Sequence, residues 1–472
     1  MRTRFSVIAL CLFLWIAAGC VAGNALPTEP SASKPAATKG EPTAAILPTE
    51  PSAAGPGTGS ETDHPTEEET EPKAEPYGVF FGKRMNPEIA VINEKTLATE
   101  GAHLYSVLDT ESIDALTVSN MILRYEVPSG GYLGSNPISD VSVRALEYMR
   151  NLKELESRSY SPLSSALMIP VRYGILVTNA DVRSFPTSLR YTKTGSTSDH
   201  DLFQETKLSF ATGVAVLHTS SDGTYSFCLG ENYAGWIRTD EIAFTDHETM
   251  KAYLSPEAFV VSFGQDPGKD WNRLGLVLPL VRKTESAFVV SLPGRNAEGY
   301  LECYEAELDR NSGAYREGFL EYDPEKAAEI AKGLLETPYG WGDEGNYYDC
   351  SSFAGAVMRC FGYYLPRNSS DMHCFGGTVI STERMTGQER ALALSSHDFS
   401  VLVMPGHVML CHKTRNERGE TLLEIIQEGT GWYGPSGVRI TTNAVTLSDL
   451  NEMLSGDGTP FAARVHTILV FE

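Results

Sequence analysis

The stretch "TPYGWGDEGNYYDCSSFAGAVMRCFG", residues 337–362, decides how this chain is read. Asp349 stands where a helix should begin, because an aspartate carboxylate can accept from the first unpaired N–H groups of a helix. Phe353, Val357 and Phe361 follow at helical spacing and mark a buried face, and Gly362 ends the run. The pattern puts Cys350 in the first turn. Unpaired N–H groups there favour an anion, a setting expected to lower a thiol pKa from about 8.5 toward neutrality. A cysteine in an apolar helix is more often a small core residue. That reading suits Cys360, on the same helix, better than Cys350.

A nucleophilic thiol needs a base, and "MPGHVMLCHK", residues 404–413, offers one. Pro405 and Gly406 make a turn, and His407 opens a strand-like run. A histidine at a strand start beside a helix-borne cysteine is a papain-like arrangement. A third group must fix the imidazole tautomer. In "LLEIIQEG", residues 422–429, it is Gln427 or Glu428, and only strand register separates them.

Working outward, Asp323-Pro324 carries the start signal of a helix whose Ala327, Ile330, Ala331, Leu334 and Leu335 face one way. Two helices followed by antiparallel strands make 321–472 an α+β domain. Upstream, 166–250 reads as short strands with a Ser-Asp-Gly turn at 221–223, and 251–320 as a second small β unit. Residues 77–165 read as a helical N-terminal segment, with one helix expected from Ser139.

Arg2 and Arg4 followed by an apolar run to Ala18 read as an export signal over 1–20. Ala17-Ala18-Gly19-Cys20 resembles a bacterial lipobox, which implies lipidation at Cys20 and anchoring to a bacterial membrane in the cell envelope. Residues 21–76 are a disordered Pro/Thr/Ala/Glu tether in which "LPTEPSA" occurs at 26–32 and again at 47–53. The net charge of the 472-residue chain is -23, which argues against nucleic acid as a partner. The six cysteines beyond the signal are scattered and allow one or two bridges. The pairs His373-Cys374 and Cys411-His412 match no common zinc spacing, so no metal is expected. No heptads occur, and a monomer is expected.

"TPYGWG", "DCSSF", "LPRNSSD" and "GHVML" come in the order seen in NlpC-type cell-wall cysteine peptidases, and residues 324–472 resemble that papain-like family. The β region before them resembles bacterial SH3-like domains. The resemblance implies Cys350 as nucleophile, His407 as base and Gln427 as the polar third residue, with no cofactor. It also implies that Tyr339 lies near the thiol and that Asp349 and Ser351 contact substrate. The subgroup it resembles cleaves peptidoglycan stem peptides between γ-D-glutamate and the diamino acid. There an acid and a tyrosine of the SH3-like domain hold the free amine of L-Ala, roles that would fall to Asp201 and to Tyr225 or Tyr233. Arg367 is read two ways, as a bidentate ligand for a substrate carboxylate or as the partner of a structural acid. The same Cys–His pair would also serve an amidase or an acyl or peptidyl transferase. A non-catalytic lipoprotein that binds wall peptides is the alternative outside enzymes.

Overall fold

The computed structural model describes residues 168–471 apart from 197, 198, 221 and 267, together with short pieces between 112 and 137. Cys20, the tether and the helix expected from Ser139 lie outside the described residues. Within 77–165, expected to be helical, the described pieces include strands. Ser112–Asp114 pairs with Met168–Pro170, and Tyr132–Leu133 pairs with Asn136–Pro137 and Tyr191–Thr192. Pairing partners far along the chain supply what local periodicity could not reveal.

Seven strands form the first β domain: β1 (Arg172–Leu176), β2 (Ala180–Arg183), β3 (Gln204–Leu208), β4 (Gly213–Thr219), β5 (Tyr225–Leu229), β6 (Ala234–Arg238) and β7 (Ile242–Thr245). Their order is β7-β1-β4-β5-β6-β2-β3, with every pair antiparallel. Period-two alternation divides their side chains between two cores. Ile175, Ala215, Phe227 and Trp236 lie in one, and Leu176, Val214, Val216 and Ile237 in the other. Helix α1 (His247–Leu254), capped by Asp246, follows.

A second sheet, in the order β11-β10-β9-β8-β12, comprises β8 (Phe259–Ser262), β9 (Val277–Lys283), β10 (Ala287–Arg295), β11 (Leu301–Asp309) and β12 (Tyr315–Glu317). Residues 324–471 then form the α+β part. Helix α2 (Pro324–Lys332) begins at the Asp323 cap, and α3 (Cys350–Arg359) at Asp349. Helices α4 (Gly387–Ser395) and α5 (Phe461–Arg464) lie later in the chain.

The sheet of this part runs β13-β18-β14-β15-β16-β17. Its strands are β13 (Thr378–Ser381), β14 (Phe399–Met404), β15 (His407–Arg415), β16 (Thr421–Tyr433), β17 (Arg439–Asp449) and β18 (Thr467–Val470). Val408, Leu410 and Ile426 pack with Ala327, Phe353 and Val357 of α2 and α3. The alternate residues Met409, Cys411 and Ile425 pack with Leu394 of α4 and Phe461 of α5. Both sheet faces are therefore covered, and α3 lies across β15 and β16.

Candidate active site

Asp349 starts α3 with a reciprocal cap. Its Oδ1 accepts from the Ser351 and Ser352 N–H groups at 3.1 and 3.0 Å, and the Asp349 N–H donates to Ser352 Oγ at 2.9 Å. Cys350 is therefore fixed in the first turn, partly buried and with a free thiol. The expected lowering of its pKa does not occur. Burial, and after it the Asp349 charge, pushes the thiol up to about 12. The Val408 N–H, Arg367 and the Ser351 N–H oppose this without overcoming it. The physical reason is burial first, because a thiolate taken out of water is costly; the Asp349 carboxylate adds repulsion, and the cap draws on the same N–H groups that would have favoured the anion.

His407 opens β15, and Gln427 lies on the neighbouring β16. The His407 Nε2–H donates to Gln427 Oε1 at 2.6 Å. With that proton placed, Nδ1 keeps its lone pair. Burial lowers the His407 pKa, against the Gln427 hydrogen bond and the Asp349 charge, which raise it. The imidazole is thus a neutral base at pH 7. Among the described residues no hydrogen bond joins His407 to Cys350. The backbone N–H of Val408, one residue further on, is near enough to the thiol to oppose the rise in its pKa.

Glu428 points the other way from Gln427, as strand alternation requires. It is fully buried, and neither carboxyl oxygen has a hydrogen-bond partner. Burial, then the Asp349 charge, pushes its pKa up to about 9. Tyr339, half-buried, lies within range of Asp349, Cys350 and Glu428; burial above all pushes its hydroxyl pKa up.

Arg367 is buried against Asp349. Its Nη2 donates to Asp349 Oδ2 at 2.7 Å, and its Nη1 donates to Asp349 Oδ1 at 3.2 Å and to Ser351 Oγ at 2.8 Å. Ser351 Oγ in turn donates to Asp349 Oδ1 at 3.0 Å. The two residues flanking Cys350, expected to meet substrate, are thus hydrogen-bonded within the protein. Burial would raise the Asp349 carboxyl, but Arg367 and the surrounding donors hold it below the usual carboxylate range.

The first β domain approaches this site differently from expectation. Asp201 is buried and committed: Arg183 Nη2 donates to it at 2.9 Å, and its Oδ1 accepts from the N–H groups of Tyr191 and Phe203. Tyr225 is buried in the domain's own core with Phe227 and Trp236. Tyr233 donates from its hydroxyl to Glu205 Oε2 at 2.6 Å, and it lies within charge range of Arg367. Sequence reasoning missed Glu205, although its place on the alternating β3 beside Thr206 was a usable signal. It also passed over His200, whose ring stacks on Trp341 at 5.1 Å and lies 5.9 Å from Tyr339.

Residues 189–238 match the SH3 domain model of the SH3b1 type. The structure is similar to that of an NlpC/P60 endopeptidase from Photobacterium damselae subsp. piscicida, with a TM-score of 0.50 and 16% identity over 79% of this chain and 91% of that one. The chain has the NlpC/P60 fold. A second similar structure is an NlpC/P60 family protein from Bacillus cereus ATCC 10987, at TM-score 0.43 and 16% identity, covering 63% of this chain and 99% of that one. A search of curated protein sequences finds no match. The NlpC/P60 fold here combines a papain-like α+β domain with an adjoining SH3-like β domain.

Proposed function

We propose that this chain hydrolyses peptide bonds of peptidoglycan stem peptides, with Cys350 as nucleophile. The observation that carries this reading is the His407–Gln427 hydrogen bond at 2.6 Å on strands that pack against the helix opened by Cys350, within an NlpC/P60 fold. The thiol sulfur attacks the scissile carbonyl carbon, and its proton passes to His407 Nδ1. The tetrahedral intermediate collapses as His407 returns that proton to the leaving amine. Water then hydrolyses the thioester with His407 as base. The Cys350 N–H and the Tyr339 hydroxyl are the donors assigned to the oxyanion. Among the described residues no hydrogen bond joins Cys350 to His407, so in this reading the two must approach before the proton is transferred.

The bond we assign is the one between γ-D-glutamate and the diamino acid, in peptides with a free N-terminal L-Ala. For that amine we assign Tyr233, one of the two tyrosines expected from sequence, with Glu205 in place of Asp201. The chain acts in the cell envelope, anchored through Cys20. The absence, among the described residues, of a hydrogen bond between Cys350 and His407 favours one other reading, a wall-peptide-binding protein without turnover.

Mass spectrometry of the intact chain with L-Ala-γ-D-Glu-diamino acid peptides tests both. The L-Ala amine is free in one peptide and joined to muramic acid in the other. Cleavage after D-Glu in the free-amine peptide alone is expected. Cleavage of both removes the amine requirement, and adducts with an added amine mark a transferase. Binding without any product establishes the non-catalytic reading.

A further inference from the structure

Arg367 joins two parts of the protein that the proposed chemistry treats separately. Its Nη1 and Nη2 grip Asp349, while its Nε donates to Thr206 Oγ1 on β3 of the SH3-like domain. Around it the contacts between the two domains continue. Gln204 Nε2, two residues before Thr206, donates to the Gly342 carbonyl at 2.9 Å. Asp343 accepts from the Asp349 N–H at 3.3 Å and from Ser352 Oγ, and it pairs with Arg273 Nη2 at 3.2 Å. Two acids and two arginines are therefore buried together, all four below a tenth exposed. A polar cavity of about 60 Å³ lies between the domains, lined in part by Thr206, Asp343, Ser351 and Arg367.

Such an arrangement does more than hold surfaces together. Asp349 adjoins Cys350 in sequence and caps its helix, so the location and charge of its carboxylate act directly on the thiol. A bare carboxylate buried at this point would repel a thiolate. Arg367 supplies the opposite charge in a planar fork that fits the carboxylate bidentately, which lysine cannot reproduce. The remaining arm of the same fork is satisfied only when the SH3-like domain is seated.

We propose that Arg367 is a positioning residue for Cys350, which neutralises and orients the Asp349 cap and, through Thr206, makes the reactivity of the thiol depend on seating of the SH3-like domain. The inference rests on Cys350 as the nucleophile. The other ionisable groups facing this cluster are Asp343 and Arg273 from the inter-domain side, Tyr233 from the SH3-like domain, Tyr339 and Glu428 near the cap, and His407 from β15. None of them replaces the fork on Asp349.

The test reads the thiol without any peptide substrate, so it stands apart from the identity of the bond cleaved. The rate of Cys350 alkylation by iodoacetamide is measured against pH in the full chain, with the modified cysteine identified by mass spectrometry. Folding is checked by circular dichroism. Arg367→Lys is expected to move the profile upward by about one pH unit, which is about a tenfold slower reaction at a fixed pH below the transition. Thr206→Val, which cuts only the arm to the SH3-like domain, is expected to move it the same way by less. Profiles that coincide with the parent's in both variants overturn the proposal. A shift in Arg367→Lys alone overturns the coupling to the SH3-like domain. If Arg367→Lys does not fold, Thr206→Val decides by itself, and an unmoved profile there overturns the coupling. A purely structural role would lower the melting temperature and leave both profiles in place.

Discussion

His407 and Gln427 sit on adjacent strands with Nε2 donating to Oε1 at 2.6 Å, while Glu428, the next residue, faces the opposite side of the sheet. One step of register thus separates a neutral amide bonded to the His407 ring from a buried acid that does not touch it. Gln427→Ala should leave the fold intact and lower kcat about 10²-fold, because the ring loses the group that fixes its tautomer. KM should change little. Steady-state kinetics on the free-amine peptide check this, and an unchanged kcat would remove Gln427 from the machinery.

Glu428 predicts an unusual slope of stability with pH. Its folded pKa is raised to about 9, so near neutrality the folded protein holds a proton that the unfolded chain has released. The sign follows: its contribution to stability is complete below the unfolded pKa of about 4.3 and falls as pH rises toward 9, by about 1.4 kcal/mol per unit from this single group. Glu428→Gln should flatten the slope and raise stability at pH 8. Urea unfolding at pH 6 and pH 8 measures both effects, and equal slopes in parent and variant would contradict the assignment.

Cys350 should be slow toward alkylation in the resting protein. A thiol pushed up to about 12 holds on the order of 10³ less thiolate at pH 7 than one near 8.5. The check compares the rate with that of a free thiol. Cys350→Ala should abolish peptide cleavage without changing the circular dichroism spectrum.

His407, its pKa lowered by burial, stays neutral into mildly acidic solution. The acid limb of kcat/KM should therefore lie below pH 6.5, with activity lost as pH falls through the lowered value. A pH–rate profile with its acid midpoint above 6.5 would count against a buried neutral base.

Gly342 has φ of +53°, and a Cβ there would lie 2.8 Å from the Gln204 carbonyl oxygen. Gly342→Ala should cost about 1–3 kcal/mol through the backbone conformation and the close approach together. A thermal melt that matches the parent's would show that this approach can relax.

The local signals survived folding because they depend on neighbouring residues alone. Asp349 as cap, the apolar face of Phe353 and Val357, the proline start at Pro324 and the strand opening at His407 are each set by a few consecutive side chains and by the hydrogen bonds a terminus leaves unmet. The order of "TPYGWG", "DCSSF" and "GHVML" pointed to the NlpC/P60 fold on the same basis. Tertiary structure decided what depends on distance across the fold. Strand pairing selected Gln427 over Glu428 beside His407, because a shift of one residue reverses every side chain. Packing raised the Cys350 thiol where the helix terminus alone suggested lowering, because burial and a neighbouring carboxylate outweigh N–H groups already taken by the cap. Folding within the SH3-like domain committed Asp201 to Arg183, and docking of that domain brought Thr206 to Arg367, a contact between residues 161 apart in the chain. Periodicity and propensity carry no information over that separation; burial and charge pairing in the folded protein fixed it.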